Sequence, residues 1–119
     1  VENSDTINAT LSYSDGSVCN LLYTANGDAA LPREYCEVYC EGKSAVMNNF
    51  REVVYYSNGH KRAKKYDGGM GHREEIEHFV NIIRGKEQPS VSFDSAYYTT
   101  LATIRIMESM ITGEAQKIQ

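Results

Sequence analysis

Residues 6–25, TINATLSYSDGSVCNLLYTA, contain the pattern that decides the fold class of this chain. From Thr6 to Ser12 apolar and polar side chains alternate, which is the period of a strand with one buried face. The dipeptide Asp15-Gly16 follows, and this pair is favoured in tight β-hairpin turns. The segment therefore predicts two antiparallel strands, Thr6–Ser12 and Val18–Ala25, joined by a short turn.

Four further short segments have the same strand character. They are rich in β-branched and aromatic side chains, and turns such as Glu41-Gly42 and Asn58-Gly59 separate them. The predicted strands are Glu34–Cys40, Ser44–Asn48, Arg51–Tyr56 and Lys61–Tyr66. Because hairpin-length turns force neighbouring strands to run antiparallel, residues 5–66 predict a mostly antiparallel β-sheet of about six strands.

The second half of the chain changes to a helical period. An i, i+3, i+4, i+7 spacing predicts a first helix whose apolar face carries Ile76, Phe79, Val80 and Ile83. Gly85 suits the residue just beyond the end of this helix. A second apolar stripe predicts a helix from about Phe93 to Thr112, with Ser92 or Asp94 as its N-cap.

Strands followed by helices, rather than alternating with them, indicate an α+β fold. We expect the two C-terminal helices to pack on one face of the sheet and to leave the other face open for association. The sequence has nine tyrosines and no tryptophan, and tyrosines are concentrated in the strands. An exposed aromatic sheet face is typical of an interface or a ligand site.

The composition is that of an ordinary globular domain. The chain has 119 residues, 41% of them hydrophobic and 24% charged, and its formal net charge is −4. This length predicts one domain over residues 1–119, and no apolar run approaches the roughly 18 residues of a membrane span. No basic segment precedes an apolar one, as in a signal peptide. We therefore expect a cytoplasmic protein without membrane contact, and the acidic balance argues against a nucleic-acid partner.

The three cysteines, Cys19, Cys36 and Cys40, predict free thiols rather than a disulfide. Cys36 and Cys40 lie four positions apart on one predicted strand, which separates them by about 13 Å, too far for a bridge. A metal site would need a second pair of ligands at close spacing, and the histidines are scattered. We therefore expect buried free thiols and no metal site.

Two regions carry polar side chains that could face a ligand. Asn26, Asp28 and Arg33 lie in the loop after the second strand, where binding groups concentrate on a rigid scaffold. His72 begins the first helix, and at a helix N-terminus a polar or electrophilic role for an imidazole is physically possible. The alternatives are a loop stabilised by its own side-chain bonds and a His72 that caps the helix or packs on the sheet edge. His78, on the polar side of that helix, is expected to be solvated.

Two other motifs are weaker. The run His60–Lys65 is basic, which suits a solvated edge strand, and phosphate or nucleic-acid contact is the alternative. The glycine cluster 68–71 does not follow a buried strand, so we interpret it as a linker and not as a dinucleotide loop. No Ser–His–Asp set or carboxylate pair stands out, and we assign no catalytic residue.

Three stretches occur in a distinctive order: Asn8–Asp28 (NATLSYSDGSVCNLLYTANGD), Gly71–Gly85 (GHREEIEHFVNIIRG) and Pro89–Gly113 (PSVSFDSAYYTTLATIRIMESMITG). The most specific part is the closing pattern of a Gly-His start, a helix ending in Arg-Gly, an extended Pro segment and a last helix ending in Thr-Gly. In this order they resemble the C-terminal half of NAD(P)-dependent oxidoreductases related to glucose–fructose oxidoreductase and inositol dehydrogenase, the Gfo/Idh/MocA family. The similarity covers nearly the whole chain.

The resemblance implies a substrate-side and oligomerisation domain. In such enzymes the open sheet face commonly mediates homo-oligomerisation, and one sheet edge shapes the pocket for a sugar, cyclitol or related polyol. The family's glycine-rich cofactor fingerprint and its Glu-Lys-Pro motif do not occur in this sequence. The resemblance therefore implies that NAD or NADP binding and hydride transfer belong to an N-terminal Rossmann domain absent from this chain. We expect the fragment alone to bind no cofactor and to be inactive, although the intact protein would be an enzyme.

Two other functions are compatible with the sequence. A free-standing module could use the tyrosine-rich sheet to bind another protein. A nucleic-acid binder could use His60–Lys65 and the neighbouring tyrosines, although no recognisable aromatic RNA-binding motif accompanies them.

Overall fold

The computed structural model describes residues 5–67 and 70–119, so Gly68 and Gly69 of the glycine cluster lie outside the described residues. The order of elements confirms the predicted α+β class, with six antiparallel strands followed by two helices. They are β1 Thr6–Ser12, β2 Val18–Thr24, β3 Tyr35–Cys40, β4 Lys43–Asn48, β5 Glu52–Ser57, β6 His60–Lys65, α1 His72–Ile83 and α2 Phe93–Thr112. The predicted strand ends differ from these by no more than one residue.

The six strands form two sheets, whereas the sequence predicted one. β1 pairs with β2, and a separate four-stranded sheet has the order β3-β4-β5-β6. The reason lies in residues 25–34, since only a hairpin-length turn forces neighbouring strands to pair and this segment is longer. The chain also divides into two compact units: residues up to Gly27 with Pro89–Gln119, and Asp28–Gln88. The two helices thus belong to different units.

The β1–β2 hairpin of the first unit has one polar and one apolar face. On the polar face Thr10 Oγ1 donates to Asn20 Oδ1 at 2.9 Å. On the other face Ile7, Ala9 and Leu11 are half-buried, as their alternation predicted. Asp15 Oδ1 accepts the Ser17 N–H at 2.9 Å, and this hydrogen bond holds the pKa of Asp15 below its usual value.

α2 begins and ends as its sequence predicted. The N-cap is Ser92, whose Oγ accepts the Ser95 N–H at 3.1 Å. Gly113 ends the helix in the left-handed region, with φ of 73°, and its N–H donates to the Ser109 carbonyl. The apolar stripe is largely exposed, and Phe93 at its start is 82% exposed.

The four-stranded sheet of the second unit depends on two tight turns. Glu41-Gly42 joins β3 to β4 with φ of 47° and 72°, and Asn58-Gly59 joins β5 to β6 with φ of 52° and 73°. Two successive residues at positive φ are the signature of a type I′ turn, whose twist matches that of the strands it connects. These turns fix the registers Cys40 with Lys43 and Ser57 with His60.

One row of residues crosses the centre of this sheet. Glu37, Val46, Val54 and Ala63 are cross-strand partners in order from β3 to β6. Val54 is 9% exposed and is the only buried residue in the described part of the chain. Its burial follows from its place on an inner strand, with paired neighbours on both sides.

α1 is amphipathic, and its C-terminal end is tightly capped. Gly85 has φ of 68° and donates its N–H to the Ile82 carbonyl at 2.9 Å, while the Lys86 N–H reaches the Asn81 carbonyl at 2.9 Å. These two bonds form a Schellman motif, with Gly85 at the position that the sequence predicted. The apolar residues Ile76, Phe79 and Ile83 are all exposed.

Exchanging the residue types at the first positions of the two type I′ turns should change stability in opposite directions. Glu41 and Asn58 occupy the same turn position at positive φ, where Asn is favoured and Glu is strained. We expect Glu41→Asn to raise the free energy of unfolding by about 1 kcal/mol and Asn58→Glu to lower it by about 1 kcal/mol. Urea denaturation in high salt, which screens the charge change, measures both. Shifts of the same sign in the two variants would contradict this turn geometry.

Candidate functional site

One face of the four-stranded sheet collects aromatic, apolar and charged side chains. Among the residues that the register places on this face are six that together we name the tyrosine face: Tyr35, Glu37, Tyr39, Val46, Val54 and Tyr56. Tyr35 and Tyr39 are 62% and 71% exposed, and Tyr56 is 41% exposed. Exposed tyrosine offers a contact surface with an apolar body and a polar tip.

The Glu37 carboxylate organises the β3 end of the tyrosine face. The Tyr35 hydroxyl donates to Glu37 Oε1, and the Tyr39 hydroxyl donates to Glu37 Oε2 at 2.7 Å. The hydrogen bonds from Tyr35 and then Tyr39 hold the pKa of Glu37 below its usual value. The same bonds raise the pKa of each tyrosine, because ionising the phenol would remove its donated proton.

A lysine lies at the β6 end of the tyrosine face. Lys61 is the cross-strand partner of Tyr56, and its Nζ lies 6.0 Å from the centre of the Tyr56 ring. At an exposed position such a cation–π contact contributes about 0.5–1 kcal/mol. Glu37 thus lies at the β3 side of this sheet face and Lys61 at the β6 side, each beside a tyrosine, and the register also places Glu52 and Lys65 on the same face. This arrangement suits recognition of another surface through aromatic contact and hydrogen bonding.

A second cluster joins α1 to the segment that follows it. Glu87 Oε2 is hydrogen-bonded to His78 Nδ1, and Glu87 Oε1 accepts from Asn81 Nδ2 at 2.8 Å. These bonds, from His78 first and then Asn81, hold the pKa of Glu87 below its usual value. Since the carboxylate only accepts, the bond assigns the His78 proton to Nδ1.

The prediction that His78 is solvated is therefore wrong. His78 is half-buried, and its Nε2 is buried with no hydrogen-bond partner among the described residues. The Schellman motif at Gly85 reverses the chain and brings Glu87 back onto the helix, nine positions after His78. A His–carboxylate pair can orient an imidazole for proton transfer, but a buried Nε2 does not offer that atom to a substrate. The geometry instead supports a role in fixing the end of α1.

The structure shows what Asn26 and Asp28 do within their own units. Asn26 Nδ2 donates to Thr6 Oγ1 at 3.2 Å, which ties the residue to the open end of the β1–β2 hairpin. Asp28 Oδ1 accepts the Ala30 N–H at 2.8 Å, so this residue stabilises its own turn. Both side chains are exposed, and the Asp28 bond corresponds to the alternative in which side-chain to backbone bonds stabilise the loop.

Arg33 and His72, the other two predicted substrate-binding residues, are exposed within the second unit. His72 is the first residue of α1, and no side chain caps this helix. Its N-cap is Gly71, with φ of 82°, so the interpretation of His72 as the cap is wrong. Asn26 belongs to the first unit and Asp28 to the second, and a shared site for all four residues stays a prediction.

Cys19, Cys36 and Cys40 are free thiols, as predicted, but they are exposed and not buried. The physical reason is that β2 and β3, within residues 5–67 and 70–119, each pair with a strand on one side only. Among the described residues no cluster of three or more His, Cys, Asp or Glu could hold a metal ion. A shallow open depression of about 290 Å³ on α1 is lined by Ile76, Glu77, Val80, Asn81 and Arg84. All five belong to one helix and its last turn, which is too open to enclose a small molecule.

The hydrogen-bonded clusters of Glu37 and Glu87 were not predicted from the sequence. Alternation had placed Tyr35, Glu37 and Tyr39 on one face of a strand, and the pattern Tyr-x-Glu-x-Tyr was the available signal. Glu87 had no comparable signal, because its contact with His78 depends on the chain reversal after α1.

Comparison with known proteins identified no relatives. No family model matches the chain, and neither the curated proteins nor the solved structures contain a significant match to it. Neither described helix combines the length and apolar character that crossing a membrane requires.

The Glu37 cluster predicts a specific pH response. Tyr35→Phe should raise the pKa of Glu37 towards its usual value, and Tyr39→Phe should raise it by less, because the Tyr35 bond is the larger cause. Since the folded-state pKa is lowered, the contribution to stability is present above the usual Glu pKa and is lost as pH falls through the lowered value. Carboxyl-carbon NMR titration measures the shift. Tyr55→Phe, on the opposite face, is the control, and an equal shift there would contradict the cluster.

Proposed function

We propose that this chain is the substrate-side and self-association domain of an NAD(P)-dependent oxidoreductase acting on a sugar, cyclitol or related polyol. The order of strands and helices agrees with what the resemblance to the Gfo/Idh/MocA family implies. The resemblance itself rests on the stretches Asn8–Asp28, Gly71–Gly85 and Pro89–Gly113. Hydride transfer and NAD or NADP binding would be the work of a separate Rossmann domain.

The observation that carries the self-association part is the exposed tyrosine face. Tyr35, Tyr39 and Tyr56 present apolar rings to solvent, and Val46 and Val54 lie between them. Exposed tyrosine rings around a less exposed apolar centre favour association, and tyrosine is enriched where interfaces gain most of their binding energy. We infer that two copies pack through this face to form a homo-oligomer.

The substrate-side part rests on the polar groups that the sequence analysis singled out. The amide of Asn26, the carboxylate of Asp28, the guanidinium of Arg33 and the imidazole of His72 can all hydrogen-bond sugar hydroxyls. The last three belong to the second unit and are exposed. In this proposal they orient the polyol while the other domain supplies the chemistry, so the chain alone is inactive.

The alternative function is a free-standing protein-interaction module. The same exposed tyrosine face supports it, and such a module would have no relation to nicotinamide chemistry. The two proposals differ in whether the face binds a second copy of this chain or a different protein.

If a separate Rossmann domain binds the nucleotide, the isolated chain should bind neither NADH nor NADPH. Calorimetric titration with NADH and with NADPH should give no saturable heat, because the glycine-rich fingerprint is not in this sequence. A chain joined to the proposed Rossmann domain is the positive comparison. Tight, saturable binding of either nucleotide by the 119 residues alone would overturn the assignment.

If self-association uses the tyrosine face, substitutions at two adjacent tyrosines should have different effects on the Kd of self-association. Tyr56 lies on this face and Tyr55 on the opposite one, with similar exposure of 41% and 45%. Tyr56→Ser should weaken self-association about thirtyfold in Kd, the effect of losing a central interface tyrosine worth about 2 kcal/mol. Tyr55→Ser, the matched control, should change Kd by less than about threefold.

Sedimentation equilibrium over a range of chain concentrations measures both constants. The interaction module would be favoured if the wild-type chain stays monomeric and binds a different protein, and if the Tyr56→Ser variant no longer binds that protein. Equal effects of the two substitutions would contradict a role for the tyrosine face.

A further inference from the structure

β3 is an open edge of the four-stranded sheet. It pairs with β4 on one side and has no strand on the other, within the described part of the chain. All six of its residues, Tyr35–Cys40, are exposed. An exposed edge presents a row of unpaired N–H and C=O groups, which another strand can extend.

The backbone groups that face this open edge can be identified. The Asn49 N–H donates to the Glu34 carbonyl at 2.7 Å, which marks these two residues as a hydrogen-bonded pair of the antiparallel ladder. Every second residue from Glu34 therefore bonds to β4, namely Cys36, Val38 and Cys40. The N–H and C=O groups of Tyr35, Glu37 and Tyr39 point outward.

The opposite edge of the sheet is protected by charge. β6 carries Lys61, Arg62, Lys64 and Lys65 in six residues, and like charges directly opposite one another oppose strand pairing. β3 carries a single charge, Glu37, and that carboxylate already accepts hydrogen bonds from two tyrosines. Of the two edges, β3 is therefore the one suited to pairing with a copy of itself.

We propose that β3 pairs antiparallel with β3 of a second copy of this chain, in a register centred on Val38. In this register Val38 lies opposite Val38 of the second copy, and Glu37 lies opposite its Tyr39. Glu37 and Tyr39 exchange both backbone hydrogen bonds, because their N–H and C=O groups point outward. Cys36 lies opposite Cys40 of the second copy, twice by symmetry.

Charge selects this register over its neighbours. A shift to a centre on Glu37 would place the two Glu37 carboxylates directly opposite each other, and a centre on Tyr39 would pair Glu37 with Glu41. Like charges opposite one another are destabilising. With the centre on Val38, Glu37 of each copy faces Tyr39 of the other, so no like charges lie opposite each other within the paired strands.

The pairing joins two four-stranded sheets edge to edge and places both tyrosine faces on the same side. It uses the backbone of β3, whereas the proposed self-association uses the tyrosine face. The inference therefore stands whether or not the proposed function is correct.

Disulfide trapping tests the register directly. Cys36 and Cys40 of one chain are about 13 Å apart and cannot bridge each other, whereas opposed residues of a non-hydrogen-bonded pair lie about 4.5 Å apart. In a Cys19→Ser chain, diamide should accept two electrons and two protons from each facing thiol pair and give a disulfide-linked dimer. Non-reducing electrophoresis and peptide mass spectrometry identify the link as Cys36 to Cys40.

Chains with a single cysteine test most specifically which residues face each other. In the Cys19→Ser background, neither Cys36→Ser nor Cys40→Ser alone should give a dimer, because each link needs one Cys36 and one Cys40. Mixing the two variants should restore a singly linked dimer. Linkage within either variant alone, or no linkage in the mixture, would overturn the register.

Proline substitutions at the two sheet edges provide the matched control. Glu37→Pro removes an outward N–H from β3 and leaves the ladder to β4 intact, so it should reduce the trapped dimer about thirtyfold. Ala63→Pro makes the same change at the centre of β6 and should leave trapping unchanged. Tyr56→Ser should also leave it unchanged, which separates this edge pairing from association through the tyrosine face. Loss of trapping in Ala63→Pro, or its persistence in Glu37→Pro, would exclude β3 as the pairing edge.

Discussion

The two type I′ turns are the constraint on which the second unit depends. Glu41-Gly42 and Asn58-Gly59 hold two successive residues at positive φ, and this geometry allows only one register in each hairpin. Because side chains alternate along a strand, a slip of one residue would move every side chain to the other face. The outward backbone groups of β3 follow from the β3–β4 register, and the composition of the tyrosine face follows from that register together with the β4–β5 register.

Local sequence was sufficient to predict the elements but not how they are grouped. Alternation and turn dipeptides located the strands, and Ser92, Gly85 and Gly113 located the helix ends, because these signals act over a few residues. The division into two sheets depends on whether β2 pairs with β3 across residues 25–34. No local pattern decides that pairing. The expected buried thiols were wrong for the same reason, since burial depends on which strands become edges.

The candidate site was predicted less well than the fold. The chosen loop residues Asn26 and Asp28 hydrogen-bond groups within their own units, and His72 begins α1 without capping it. The Glu37 cluster needs particular side-chain rotamers as well as a shared strand face, and alternation predicts only the face. In this cluster the only charged side chain of β3, Glu37, accepts hydrogen bonds from two tyrosine hydroxyls. The β3 edge therefore differs from the lysine-rich edge of β6.

Amide hydrogen exchange along β3, followed by NMR at low and high chain concentration, tests this account most directly. The Cys36 and Val38 amides, bonded to β4, should be protected at both concentrations. The Glu37 and Tyr39 amides should exchange quickly in dilute solution and become protected as concentration rises, while the Ala63 amide on β6 stays fast. Glu37 and Tyr39 amides that exchange equally fast at every concentration, or an Ala63 amide that gains protection, would contradict it.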